Sequence, residues 1–166
     1  MDMELLEWLE TYAFPEESGY KEPAYADKAY SMFVQDLKYS PTTRFCAFAT
    51  IHTSATLKLM ALLENSGLKG YVGKVNMDRN SPDYYCEESA EASLEATREW
   101  LMQSEQFHNV RPIITPRFTP SCTDALMTGL GAIASRNHLA VQSHLSENLS
   151  EIDWVKELCP DSENYM

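Results

Sequence analysis

Four apolar runs alternate with four amphipathic segments along most of this chain, and this alternation constrains the fold more than any other feature. Each run has the length of a strand, and the apolar residues between runs recur three or four positions apart, as on one face of a helix. The predicted strands cover residues 43–50, 70–75, 110–115 and 139–143. Strands that alternate with helices in this way pack as βα units around a parallel sheet.

Each predicted helix between the strands has one apolar face. Gly67 is the predicted C-cap of the first of them, since glycine readily adopts the left-handed conformation that ends a helix. The second runs from about residue 88 to residue 104, and Thr123 or Ser121 is the predicted N-cap of the third. The apolar positions are Leu57, Met60, Ala61, Leu94, Leu101, Leu126, Leu130, Ile133, Ile152 and Val155.

The first 40 residues precede the repeating pattern and are rich in aromatic side chains. Residues 3–12 are predicted to be helical and residues 14–19 to form a loop, because that stretch contains both proline and glycine. A longer helix is predicted from Pro23 onward. Its expected buried face consists of Ala26, Tyr30, Phe33 and Leu37.

Composition narrows the class of protein and its partners. The chain has 166 residues, a formal net charge of −12 and four well-separated cysteines. Such acidity disfavours a nucleic-acid or anionic membrane partner, and no apolar stretch is long enough to span a bilayer. The N-terminus lacks the basic region of a secretory signal, and the cysteines form no disulfide or zinc-knuckle pattern. We therefore expect a cytoplasmic protein.

Polar residues follow every predicted strand. Parallel α/β domains place their sites at the carboxyl ends of the strands, in an open doubly wound sheet or in a (β/α)8 barrel. The sequence lacks a glycine-rich phosphate-binding motif, which favours the barrel without excluding the open sheet. The residues concerned are His52, Asn76, Asp78, Arg117 and His144.

Four βα units make only half of a (β/α)8 barrel, which takes about 250 residues. A half-barrel would expose two strand edges and much apolar surface. We therefore expect residues 1–166 to be a single partial barrel domain, a fragment of something larger.

His144 and Glu147 are the strongest candidates for chemistry. A histidine at a strand end and a glutamate three residues later suit a metal ligand beside a proton carrier, the pair that hydrolysis by activated water requires. The alternative is structural: a histidine bonded to a backbone carbonyl and a glutamate at a helix N-terminus. His108 and His138 precede their strands and are expected at the surface; His52 lies at the correct end without a motif.

Arg117 and Phe118 follow the third predicted strand. A guanidinium fork suits a planar acceptor such as a purine carbonyl, and a phenyl ring can stack on the base. The alternative is an arginine paired with a carboxylate in this acidic chain. Lys74 and Asp78 are expected to form a buried structural ion pair; the alternative is that Asp78 contacts a substrate.

Five segments, taken in order and spacing, resemble the guanine deaminases of the amidohydrolase superfamily. The T-P-R-F stretch that contains Arg117 and the H-L-S-E-N stretch that begins at His144 are the most specific. The matching segments are residues 5–15, 48–53, 72–78, 112–122 and 142–148.

The resemblance implies a zinc-dependent (β/α)8-barrel enzyme that hydrolyses guanine to xanthine and ammonia. It implies that His144 is a zinc ligand that also borders the substrate and that Glu147 is the proton shuttle and contacts the purine. It implies that Arg117 and Phe118 hold guanine. Family members tend to be dimeric, so a homodimeric parent is expected.

The sequence also departs from the family. The H-x-H motif, the later histidine and the later aspartate that complete the family's zinc site are absent. The fragment alone is therefore expected to be inactive. Two alternatives stay open: a deaminase of another heterocycle in the same superfamily, or a non-catalytic half-barrel interaction module.

Overall fold

The computed structural model describes residues 4–161. It begins with a nearly continuous helical segment made of α1 (Leu5–Trp8), a π turn (Leu9–Ala13), α2 (Phe14–Ser18) and a 3-10 turn (Gly19–Lys21). The predicted helix at residues 3–12 is thus present from Leu5, while its first residue lies outside the described range. The predicted loop at residues 14–19 is wrong. Pro15 occupies the first turn of α2, where a missing N–H is tolerated, and Gly19 is right-handed helical.

Helix α3 (Pro23–Tyr39) confirms the helix predicted from Pro23. Ala26 and Tyr30 are buried as expected, but Phe33 is 42% exposed and Val34 is buried in its place. The buried stripe is therefore rotated by about one residue from the predicted face.

The strands are parallel and short. The sheet has the order β1 (Phe45–Phe48), β2 (Gly70–Gly73), β4 (Val110–Pro112). A further pair, β3 (Val75–Asn76) and β5 (Thr115–Pro116), extends β2 and β4 toward their carboxyl ends. Phe45 is in register with Gly70, and Gly70 with Val110.

The fourth predicted strand forms only one bridge, between Ile114 and Val141. It lies at the edge of the sheet, and within residues 4–161 no strand pairs with its outer side. The sheet is therefore open, as expected for part of a barrel.

The connecting helices are α4 (Thr53–Ser66), α5 (Ala90–Ser104), α6 (Asp124–Asn137) and α7 (Leu149–Leu158). Gly67 adopts a φ of 80° directly after α4, which confirms the predicted C-cap. Thr123 is the N-cap of α6, and its side chain accepts a hydrogen bond from the Leu126 backbone.

Two buried clusters hold the layers together. The larger lies between the sheet and its helices and includes Met60, Trp100 and Leu126, each fully buried. The smaller lies at the carboxyl ends of the strands, where Leu9 and Phe14 of the N-terminal helical segment pack against strand-end residues. This second cluster places the N-terminal segment over the edge of the sheet where the candidate residues lie.

The predicted pair of Lys74 and Asp78 is wrong. Lys74 is fully buried and its Nζ lies 2.6 Å from Oε1 of Glu87. Asp78 instead accepts hydrogen bonds from the backbone and hydroxyl of Thr123, at 2.8 and 2.6 Å. The carboxylate of Asp78 therefore anchors the start of α6. Lys74 instead pairs with Glu87, which lies in the loop before α5.

From residue 4 to residue 161, no helix is both long enough and apolar enough to cross a bilayer.

Candidate active site

His144 is held in place by backbone hydrogen bonds to the two residues that flank β5. The Gln142 N–H donates to the Ile114 carbonyl at 2.9 Å and the His144 N–H donates to the Arg117 carbonyl at 3.0 Å. The same carbonyl lies 2.9 Å from ring Nδ1 of His144, so Nδ1 carries the proton that it donates. The ring packs against Phe48 with centroids 4.2 Å apart. These contacts leave Nε2 as the nitrogen with a free lone pair.

A tight turn places Glu147 beside His144. Ser146 adopts a φ of 54°, and Asn148 caps α7 in a reciprocal capping box with Glu151. The Glu147 N–H donates to Glu151 Oε2 at 2.7 Å, while the Glu147 side chain is exposed. The backbone of Glu147 is thus fixed and its carboxylate is accessible.

Arg117 follows β5 and is 6% exposed. Its backbone N–H donates to the Asn76 carbonyl at 3.1 Å. Its Nη1 and Nη2 lie 2.5 and 2.9 Å from the two carboxylate oxygens of Glu17, and its guanidinium carbon lies 4.9 Å from the centre of the Phe14 ring. The carboxylate partner considered as an alternative to substrate binding is therefore present.

Phe118, the next residue, is 4% exposed and meets Trp154 of α7 edge-on, with ring centroids 6.4 Å apart. Because a buried ring between a strand end and a helix has little freedom, the face that it presents is fixed.

One cavity of about 380 Å³ brings the four predicted site residues together. Small-molecule sites commonly measure roughly 300–1,000 Å³ and combine apolar walls with a few polar groups. The walls include Leu5, Trp8, Leu9, Phe48, Arg117, Phe118, His144 and Glu147, and also Glu16 and Glu17.

The other polar strand-end residues do not join this cavity. His52 lines a separate hollow with Lys21 and Glu99, and burial, followed by the charges of Lys21 and Lys74, lowers its pKa. Asn76 is buried against Ser93 and Thr97. His108 and His138 are exposed, as expected.

The described residues, 4–161, do not complete a zinc site. Tetrahedral zinc needs at least three protein ligands. Among residues 4–161, no three histidine, cysteine, aspartate or glutamate side chains converge on one point. His144, with its Nε2 free, fits a single ligand position.

Glu17 and Tyr85 shape the site, although no local pattern in the sequence indicates it. Glu17 falls in the predicted loop at residues 14–19, and the Tyr85 hydroxyl donates to Glu17 Oε2 at 2.8 Å. Phe14 and Glu17 are three positions apart, the spacing of one helix face, so the signal that links them depends on this segment being helical.

Similarity to known proteins agrees with this geometry. The model of the amidohydrolase family matches residues 2–166, so the chain belongs to the amidohydrolase family.

Within that family the chain is similar to guanine deaminases. It is 44% identical to the guanine deaminase of Dictyostelium discoideum over 166 residues, covering 99% of this chain and 37% of that protein. It is 43% identical to a probable guanine deaminase of Schizosaccharomyces pombe, covering 99% of this chain and 32% of that protein. The chain thus spans about a third of the length of these relatives.

A crystal structure of guanine deaminase from C. acetobutylicum with guanine bound in its active site superposes with a TM-score of 0.95 at 48% identity. The match covers 99% of this chain and 39% of that one. The open parallel sheet is therefore part of an amidohydrolase barrel architecture.

Proposed function

We propose that this chain forms part of a zinc-dependent enzyme that hydrolyses guanine to xanthine and ammonia. The observation that carries the proposal is the shared cavity of Arg117, Phe118, His144 and Glu147 in a chain this similar to guanine deaminases. The zinc dependence rests on the resemblance and on the free Nε2 of His144. When bound, zinc would make a water more acidic.

Arg117 and Phe118 suit the substrate. Two of the five N–H groups of the guanidinium donate to Glu17, and three further N–H groups remain on this side chain at the cavity wall. We propose that these meet the carbonyl oxygen of guanine while the Phe118 ring contacts the base.

Away from the proposed metal position, the side-chain charges of the cavity favour a neutral base over a nucleotide. Its walls contain one guanidinium and the carboxylates of Glu16, Glu17 and Glu147. A phosphate would meet this excess of negative charge, whereas a neutral heterocycle would not.

Glu147 is proposed as the proton carrier. Its carboxylate is accessible at the cavity wall, where it would accept a proton from the attacking water as the new C–O bond forms. It would pass this proton to the ring nitrogen next to the amino-bearing carbon. It would then take the remaining proton from the new C–OH group as the C=O bond forms and give it to the amino group, so that the C–N bond breaks and ammonia leaves.

The test compares two proteins: this chain and the longer protein encoded by the reading frame that contains it. Guanine-dependent ammonia release and xanthine formation are measured with and without added zinc. We expect turnover only in the longer protein, since the chain brings no three zinc ligands together among its described residues. Robust turnover by the chain alone would contradict this account of the missing ligands.

In the longer protein, Glu147→Gln should lower kcat by about 10²–10⁴-fold, the usual contribution of general acid–base catalysis, while bound zinc is retained. Glu157→Gln is the matched control, because Glu157 is exposed on the neighbouring α7. Unchanged turnover in the Glu147 variant would refute the shuttle role. No guanine turnover by the longer protein, with another heterocycle deaminated or none, would refute the substrate assignment.

A further inference from the structure

Glu17 and Arg117 are 100 positions apart in sequence and form a two-pronged ion pair at the wall of the cavity. The side chain of Arg117 is 8% exposed and that of Glu17 is 23% exposed. Fork-to-fork pairing of this kind fixes the plane of the guanidinium as well as its position.

The carboxylate of Glu17 is itself held in place. The hydroxyl of Tyr85, a fully buried residue, donates to it at 2.8 Å. The same hydroxyl accepts a hydrogen bond from the Ile51 backbone at 3.3 Å, which ties the arrangement to the end of β1. Glu17 therefore has three fixed neighbours: the backbone-anchored Tyr85 and the two outer nitrogens of Arg117.

Phe14, one turn before Glu17 on α2, supports the face of the same guanidinium at 4.9 Å. Phe14 is 3% exposed and packs against the Tyr85 ring, with centroids 6.0 Å apart. A cation over an aromatic face is attracted by the ring. The N-terminal segment thus holds Arg117 both at its tip and on its flat side.

Geometry points to Glu17 as a positioning residue for Arg117, with Tyr85 holding Glu17. We infer that this chain of contacts aims the remaining Arg117 N–H groups at the carbonyl oxygen of the substrate and so sets the preference for a carbonyl-bearing purine. The inference rests on the proposed function. It gives the N-terminal helical segment control of substrate orientation from outside the βα repeat.

Two measurements separate this inference from the proposed function. The first needs no activity. Nitrogen-15 NMR of the purified chain should show slowly rotating, separately resolved Arg117 Nη groups in the wild type. These signals should merge in Glu17→Gln and persist in Glu10→Gln, since Glu10 is exposed on the same helical segment. Unchanged Arg117 signals in Glu17→Gln would overturn the positioning role.

The second measurement uses the longer protein and two substrates: guanine, and 2-aminopurine, which keeps the amino group but lacks the carbonyl oxygen. Glu17→Gln should lower kcat/KM for guanine by about 10–100-fold, the range for a charge-assisted hydrogen bond, mainly through KM. It should change kcat/KM for 2-aminopurine by less than about threefold. Glu17→Asp, which keeps the charge, should recover part of the loss.

A fold defect would lower activity on both substrates alike, so equal losses would overturn the inference. In an Arg117→Ala background, Glu17→Gln should add less than about threefold, because the group that it positions is gone. If the wild-type longer protein does not deaminate guanine, the proposed function fails, whereas the NMR result still decides whether Glu17 holds Arg117.

Discussion

The carbonyl oxygen of Arg117 accepts two hydrogen bonds from His144, one from the backbone N–H at 3.0 Å and one from ring Nδ1 at 2.9 Å. The residue proposed to hold the substrate thus also orients the residue proposed to bind the metal. A hydrogen bond at one ring nitrogen of a histidine, such as that of Nδ1 here, fixes which nitrogen is free to act as a metal ligand.

The tautomer of His144 follows directly from that contact. In its neutral form, His144 should carry its proton on Nδ1 and none on Nε2, because Nδ1 lies 2.9 Å from the Arg117 carbonyl oxygen. Long-range proton–nitrogen correlation NMR on the chain measures this, with the exposed His108 as the internal comparison. A proton on Nε2 of His144 would remove the basis for its proposed ligand role.

Gly73 and Gly131 should respond in opposite ways to replacement by alanine. A Cβ at Gly73 would lie 1.7 Å from Oγ1 of Thr115 and 2.8 Å from the Ile113 carbonyl, so neighbouring strands must move apart. We expect Gly73→Ala to lower the free energy of unfolding by about 2–3 kcal/mol.

At Gly131, in the middle of α6, an added Cβ meets nothing within 4 Å. Gly131→Ala should raise the free energy of unfolding by about 0.5–1 kcal/mol, because alanine is the better helix former. Urea denaturation of both variants is the measurement. No loss of stability in Gly73→Ala would contradict the close packing at Gly73, and a loss in Gly131→Ala would contradict the open space at Gly131.

Lys74 and Lys58 are each ion-paired, in very different surroundings. Lys74 is fully buried with Glu87, and burial lowers its pKa against the opposing effect of that carboxylate. Lys74→Met leaves the Glu87 charge nearly enclosed and should cost about 3–5 kcal/mol. The exposed pair of Lys58 and Asp27 provides the control, and Lys58→Met should cost less than about 1 kcal/mol. If urea denaturation gives the same loss in the free energy of unfolding for both variants, the pair of Lys74 and Glu87 does not stabilise the loop before α5.

Tyr30 should make stability fall at alkaline pH. It is 6% exposed, and burial, with Tyr20 as the next cause, raises its pKa above the ordinary value of 10.0. Above pH 10.0 the unfolded chain therefore loses a proton that the native state keeps. The contribution to the free energy of unfolding falls with pH by up to about 1.4 kcal/mol per unit.

Tyr30→Phe should flatten this alkaline slope. At neutral pH it should change the free energy of unfolding by no more than about 1 kcal/mol, since the buried Tyr30 hydroxyl lies near Thr50 but does not meet hydrogen-bond geometry with it. Unfolding curves at neutral and alkaline pH decide the matter; an unaltered slope would mean that Tyr30 titrates normally.

Local patterns were sufficient for much of the architecture. The alternation of strand and helix periods predicted the parallel sheet, and Gly67 and Thr123 occupy their predicted helix ends. These features depend on residues within one or two turns of each other, so sequence reasoning reached them. The joint position of His144 and Arg117 followed from one rule, that parallel strands end at the same edge of the sheet.

The predictions from local sequence patterns are wrong where a contact between distant residues decides the conformation. Pro15 and Gly19 have turn-forming character, yet α2 is helical because Phe14 packs into the second buried cluster. The fourth strand has a strand pattern but forms a single bridge, since it has no neighbour on its outer side within residues 4–161.

The sequence by itself determined the βα repeat, the helix ends and the strand-end motif of His144 and Glu147, because each depends on local spacing. Only the tertiary structure decided the partners of the buried charges: Glu87 for Lys74 and Glu17 for Arg117. The physical reason is that a charge enclosed by protein needs a partner wherever the fold supplies one, and no local pattern in an acidic chain reveals which carboxylate that is.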